Sequence, residues 1–196
     1  SRLREPTAYL DVHMGVDGQN FDCVRCHTTN QHNIAGRIYT TPAYTDRKSL
    51  IEDDLTSKIT CESCHSSTPH KSGSKANDHT DKVACQSCHI PTFARVNPTK
   101  MSWDWSTSGK KKDGKPYKTK GAFGKHDYLS IKGSMKWEKD LKPEYFWFNG
   151  SVKSLTAADP IDPSGVVALS HPIGDSEDPN SRIYPFKVHR GVQPYD

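Results

Sequence analysis

The sequence predicts a mostly irregular chain, with short α-helices and a few β-hairpins, gathered around bound apolar cofactors that serve as its core. Two observations predict this. The first is composition. Of the 196 residues only 33% are hydrophobic, and the mean hydropathy is -0.81. That is poor for a conventional interior and approaches the composition of disordered chains. The second is a pentapeptide that occurs three times: Cys23-Val24-Arg25-Cys26-His27, Cys61-Glu62-Ser63-Cys64-His65 and Cys85-Gln86-Ser87-Cys88-His89. Each is C-x-x-C-H, the attachment motif for a c-type haem. Two thiols three positions apart can each add to one vinyl group of a porphyrin, and the following histidine then lies under the iron as proximal ligand. The expected fold class is a multihaem cytochrome c with a haem-centred core.

Six cysteines could instead form three disulfides, or paired C-x-x-C units could hold zinc. Neither alternative explains a histidine after every second cysteine, three times out of three, with no cysteine left over. The expected cofactors are three covalent haems c, and without them the chain is expected to be largely unfolded.

In chain order, residues 1–22 lead into the first motif through Leu10-Asp11-Val12-His13-Met14 and the turn-prone Gly15-Val16-Asp17-Gly18. Histidines follow the first two motifs at the same spacing, His32 and His70, a weak internal repeat of the form C-x-x-C-H-x4-H. Apolar residues at 50, 51 and 55 suit a short amphipathic helix over 46–58. Residues 71–78 read as a polar loop leading to His79, and Pro91 is expected to end the helical turn carrying His89. After residue 100 there are no cysteines, but all four tryptophans are there: Trp103, Trp105, Trp137 and Trp147. Lys112-Asp113-Gly114-Lys115 reads as a hairpin turn, and residues 145–152 as strand–turn–strand. Residues 159–163 and 174–180 read as loops. The expected division is a three-haem region over 1–99 and a cysteine-free, tryptophan-rich wrapping region over 100–196, packed on the haems.

Each haem iron has two axial positions. His27, His65 and His89 take one each, and the distal ligands are expected mainly from His13, His32, His70 and His79. His32 and His70 follow their proximal histidines by five residues, too few to round the porphyrin edge, so each is expected to serve a neighbouring haem. His13 precedes Cys23 by ten residues, a reach of roughly 33 Å when extended. Four candidates for three vacancies leave a surplus, and His13 is expected to face a haem of another segment. His126, His171 and His189 rank lower. Methionine is the rival sixth ligand, and the chain has Met14, Met101 and Met135.

The formal charge is +4, and haem propionates would bring the oxidised holoprotein near neutrality. Basic runs such as Lys110-Lys111-Lys112 are short. They point to solvated loops or to docking patches for acidic partners, not to nucleic acid. The longest apolar run, near 165–169, is too short to span a membrane. The chain starts at Ser1 and no export signal is recognisable. Because haem is attached to protein outside the bacterial inner membrane, a trimmed chain from the periplasm or cell surface of a bacterium or archaeon is expected.

Several stretches resemble the octahaem tetrathionate reductase family of multihaem cytochromes: Asp11-Val12-His13-Met14, Thr68-Pro69-His70-Lys71, Asn77-Asp78-His79-Thr80-Asp81 and Lys100-Met101-Ser102-Trp103-Asp104-Trp105-Ser106-Thr107. The match extends through Pro143-Glu144-Tyr145-Phe146-Trp147-Phe148-Asn149-Gly150 and Arg190-Gly191-Val192-Gln193-Pro194-Tyr195-Asp196. The family carries eight haems where this chain has motifs for three, so the resemblance is to a later portion. It implies redox partner proteins, another haem-bearing segment or subunit, and a lysine-ligated catalytic haem that reduces small sulfur or nitrogen oxyanions. Lys100 is a conceivable lysine here, but the catalytic site is expected in the segment this chain lacks. Three functions are therefore carried forward. They are electron transfer within or beside a larger reductase, catalytic reduction of tetrathionate, nitrite or hydroxylamine at an open or lysine-ligated haem, and a structural role in a haem assembly or filament.

Overall fold

The computed structural model describes residues 5–27, 29–30, 33–34 and 61–194. The helix expected over 46–58 and His32 lie outside the described residues. In chain order the strands are β1 (Thr29–Asn30), β2 (Asn33–Ile34), β3 (Thr99–Asp104), β4 (Lys111–Lys112), β5 (Lys115–Pro116), β6 (Lys118–Lys120) and β7 (His126–Leu129). They continue with β8 (Gly133–Glu138), β9 (Glu144–Phe148), β10 (Val152–Ser154), β11 (Ser170–Pro172), β12 (Arg182–Phe186) and β13 (Arg190–Val192). Two α-helices are described, α1 (Lys75–Asp78) and α2 (Cys85–His89).

This architecture corrects the expected fold class. Strands take 29% of the described residues and helices 11%, and a five-stranded sheet of order β13-β3-β8-β7-β6 is its largest element. A mostly irregular, haem-centred chain is not what the residues form. Low hydropathy misled because sheet ladders close on backbone hydrogen bonds and need few apolar side chains. β6 forms with all three of its residues exposed. Among the described residues the buried hydrophobic side chains are Ala84, Tyr128, Met135 and Phe148.

The chain divides into two compact units. One comprises His89–Tyr145 and Pro185–Asp196 and contains the five-stranded sheet. β3 pairs antiparallel with β8, setting Trp103 opposite Met135 and Lys100 opposite Trp137, and β13 joins it in parallel. Close approach of β13 to β3 requires Gly191, because a Cβ there would lie 2.6 Å from the Trp103 indole. The turn Asp113-Gly114 has two positive φ values, 49° and 74°, which suits the type I′ geometry of a two-residue hairpin. It joins β4 to β5, as the residue pattern predicts. Edge-on contact with Trp103 at 6.1 Å locates His189. Burial first, then the charges of Lys187 and Lys100, hold its imidazole below the usual pKa.

The other unit comprises Ser1–Cys88 and Phe146–Tyr184. The expected strand–turn–strand over 145–152 is present as elements but not as a hairpin. β9 pairs with β12, and β10 pairs with β11. The loop that follows β11 supplies the lock. Asn149 donates to Asp178 at 2.8 Å, and Ser181, fully buried, donates to the same carboxylate at 3.1 Å. The Asn149 bond, then the Asn180 N–H, hold the Asp178 carboxyl below its usual pKa. The stretch expected as loop over 71–78 contains α1, whose N-cap Ser74 accepts from Ala76 N.

Two outcomes follow. Gly133 has φ 76° and a Cβ there would meet the Asp104 carbonyl oxygen at 1.9 Å. Gly133→Ala is expected to cost more than about 1 kcal/mol, read as a lowered Tm in thermal unfolding; an unchanged Tm contradicts it. The His189 imidazole favours its neutral form in the fold, so its stabilising contribution is present above the ordinary imidazole pKa and is lost as pH falls through the depressed one. The proton NMR titration of His189 is expected to have its midpoint below that of a free imidazole; a raised midpoint contradicts the placement.

Candidate haem-attachment site

Each C-x-x-C-H segment folds as a helical turn begun by its first cysteine. In the first, Cys23–Arg25 is a 3-10 turn and the His27 N–H donates to the Cys23 carbonyl at 2.9 Å. In the second, Cys61–Ser63 is the same kind of turn and His65 N–H donates to the Cys61 carbonyl at 2.8 Å. The third is α2, which ends at His89 ahead of Pro91, as expected. A helical turn brings residues i, i+3 and i+4 close together, the spacing that would let both thiols and the imidazole of a motif engage one porphyrin. No disulfide joins any of the six cysteines. Among the described residues no cluster of three or more His, Cys, Asp or Glu side chains is arranged to hold a metal ion. The donor set therefore fits covalent porphyrin attachment, with two thiols and one imidazole per site.

The motif turns are anchored by residues that the sequence does not flag. The Ala84 N–H donates to the Ile183 carbonyl at 3.0 Å, and Ser87 Oγ donates to that same carbonyl at 2.7 Å, which holds α2 against β12. One residue earlier on β12, Arg182 donates to Glu62 at 2.8 Å and holds the second motif. Two consecutive residues of one strand thus position two motifs. Cys61 and Cys85 line a single cavity of about 510 Å³, with Phe148, Tyr184 and Arg182 around it. Its size lies within the roughly 300–1,000 Å³ of typical cofactor sites. It offers aromatic walls, and its Arg182 is paired with Glu62. Only the packing reveals this, since Arg182 and Ile183 are 120 and 98 residues from Glu62 and Cys85.

Of the expected distal ligands, His13 is placed most tellingly. Its ring lies 6.2 Å from that of His65, centre to centre. The ring planes meet at 64°, an edge contact that brings two metal-binding side chains together. A compact loop carries His13 there. Asp11 Oδ1 accepts from the His13 and Met14 N–H groups at 2.9 and 3.1 Å. Phe21 donates its N–H to the His13 carbonyl at 2.7 Å and stacks on the His13 ring at 6.1 Å. His13 thereby has a neighbouring imidazole within its own unit.

His70 and His79 lie in the same unit, beside α1. Asn77 Oδ1 accepts from both the His70 N–H at 3.0 Å and its Nδ1 at 3.2 Å. The Lys75 carbonyl accepts from His79 Nδ1 at 2.6 Å. An acceptor on Nδ1 fixes the proton there and leaves the Nε2 lone pair for a metal. His126 and His171 show the same feature against Thr119 and Pro172 carbonyls, so it does not by itself select ligands. Met135 is buried in the five-stranded sheet. Lys100 places its Nζ over the Trp137 ring at 5.4 Å, a packing contact.

Two comparisons with known proteins find similar proteins. Residues 100–196 match the model of the bacterial cytochrome c family. That match falls in the cysteine-free half, so it is independent of the three motifs. The whole chain is similar to the crystal structure of octaheme cytochrome c from Shewanella oneidensis, with 45% identity and a TM-score of 0.81, over 97% of this chain. This chain spans 40% of the length of that one. No curated protein matches. Together the motifs and the matches support a multihaem c-type cytochrome with a haem-based redox function. Nothing in them distinguishes a tetrathionate reductase. Among the described residues no helix is long and apolar enough to cross a membrane.

Gly15 lets the His13 loop close, because a Cβ there would sit 2.4 Å from Ala8 N. Gly15→Ala is expected to cost at least about 1 kcal/mol and to move the His13 ring. Loss of the nuclear Overhauser contacts between His13 and Phe21 would show it, whereas retained contacts and an unchanged Tm would contradict the role given to the loop.

Proposed function

We propose that the chain is an electron-transfer cytochrome holding three covalent c-type haems, at Cys23/Cys26/His27, Cys61/Cys64/His65 and Cys85/Cys88/His89. The observation that carries it is the His13–His65 juxtaposition at 6.2 Å. With both axial positions of an iron taken by imidazole, no position is left for a substrate, and the site serves electron transfer. When bound, the haem supplies the one-electron couple. The chain's own residues do the rest. The cysteines would tether the haem, and His27, His65 and His89 would ligate the iron. His13 would close the second site, while His70, His79 and His32 are the ligands proposed for the remaining positions. Arg182 and Ile183 keep the second and third motifs in register. Residues 1–99 form the haem-bearing region and 100–196 its cysteine-free companion.

The similarity to an octahaem chain supports a place within or beside a larger multihaem reductase, which would receive or deliver electrons through another haem-bearing segment. C-type attachment supports a location outside the bacterial inner membrane, in the periplasm or at the cell surface. The test is direct. The intact mass of the holoprotein should exceed that of the polypeptide by three haems after acid-acetone extraction. His13→Ala should convert one of the three to high spin in the optical and EPR spectra. A mass with no haem, or a His13→Ala spectrum identical to the parent, contradicts the assignment.

A further inference from the structure

Positive charge is concentrated in one stretch of the sheet unit. Residues 110–136 hold nine lysines, Lys110, Lys111, Lys112, Lys115, Lys118, Lys120, Lys125, Lys132 and Lys136, against Asp113 and Asp127, and among the described residues only Lys136 of the nine is in an ion pair, with Glu138 at 2.7 Å. That is a formal +7 within a chain of +4, so the remaining residues sum to -3. Every residue of β4, β5 and β6 is exposed. Among the described residues no ion pair involves Lys111, Lys112, Lys115, Lys118 or Lys120. Lys112 stands directly opposite Lys115 in the hairpin register, where like charges repel. Lys118 and Lys120, two apart on β6, project from one face.

An ordinary solvated basic loop would need no support, yet this hairpin is fastened at several points. Ser130, 8% exposed, accepts the Tyr117 N–H at 2.7 Å and bonds the Lys110 carbonyl at 2.8 Å. Tyr128 OH accepts from the Lys110 N–H at 3.1 Å and donates to the Thr107 carbonyl at 3.2 Å. Tyr117 stacks on Tyr128 at 4.8 Å. These bonds tie the backbone at both ends of the β4–β5 hairpin, at Lys110 and Tyr117, to Tyr128 and Ser130 and so hold the mutually repelling lysines of the hairpin close together.

We propose that the lysine array on β4–β6 is a docking surface for the acidic face of a redox partner protein. The proposal rests on the electron-transfer reading and names the chemistry of its partner. A fixed array of one sign raises the rate of encounter with an oppositely charged surface by about 10 to 1,000-fold at low ionic strength and loses that advantage as salt screens it. A bilayer fits less well. The exposed apolar residues nearby, Phe123 and Ile131, sit in the turns before and after β7, at opposite ends of that strand, and form no patch for insertion. Nucleic acid does not fit the compartment in which c-type haems are attached.

The experiment uses the haem-loaded chain and, as acidic probe, fluorescently labelled poly-L-glutamate, with affinity read by anisotropy at several ionic strengths. Lys112→Glu/Lys115→Glu is compared with Lys142→Glu/Lys153→Glu, which changes net charge equally at exposed sites elsewhere. The array variant is expected to bind at least tenfold more weakly with a flattened salt dependence, the control less than twofold more weakly. Equal weakening in both variants, or none in the array variant, overturns the proposal. So does tighter binding of the parent to anionic phospholipid vesicles or to duplex DNA at the same ionic strength. Self-association of the parent that the array variant abolishes would assign the surface to a second copy and likewise overturn it. The haem spectrum of every sample separates the two readings: absent haem contradicts the proposed function, whereas normal haem with unaltered binding contradicts only the docking surface.

Discussion

The hydrogen bond from a histidine N–H to the carbonyl of the cysteine four residues before it is the interaction on which this structure turns. It closes one helical turn, and that turn brings two thiols and an imidazole close together. Each motif is only five residues long and cannot hold such a turn by itself, because an isolated turn fixes several dihedrals for one bond. Tertiary anchors must therefore stabilise it. β12 provides them for two of the three motifs, through the Arg182–Glu62 pair and the Ile183 carbonyl that accepts from both Ala84 and Ser87. Ser87 lies inside its motif, at one of the two variable positions of C-x-x-C-H. The variable residues of a motif are thus where the surrounding fold takes hold of it.

The two units are stabilised differently. In the sheet unit, long ladders, glycines that allow close strand approach and stacked aromatics compensate for a small apolar interior. In the motif-bearing unit, side-chain polar groups carry more of the organisation, with Asp178, Ser181 and Asn149 locking one loop and Asp11 shaping another. Buried or half-buried hydrogen bonds of this kind contribute about 1 kcal/mol each. A chain with few buried hydrophobic side chains depends on many of them acting together.

The helical turn at each C-x-x-C-H motif was legible in the sequence, since it is a local pattern with a local cause. So was the Asp113-Gly114 turn, because two positive φ values demand such residues. Pairing was not legible. Residues 145–152 have the composition of a hairpin, yet β9 and β10 choose partners from beyond residue 169, and nothing in Tyr145–Val152 encodes that choice. The five-stranded sheet was missed for a related reason. Its strands mix charged, polar and single apolar residues without a clear apolar stripe, so hydropathy undervalues them, while cross-strand pairs such as Trp103 with Met135 supply the packing. His13 was an expected ligand on its proximity to the motifs alone. Its actual neighbour depends on the fold-back at Gly15 and Gly18, which spacing alone does not specify.

The central claim is that His13 and His65 are the two axial ligands of one iron. Crystallographic anomalous scattering at the iron edge, measured on the haem-loaded chain, tests it most directly. The account predicts an iron peak between the His13 and His65 rings, on the line joining them, with both Cys61 and Cys64 bonded to the surrounding macrocycle. An iron at the second motif with His13 turned away from it, or no iron at that motif, would contradict the account.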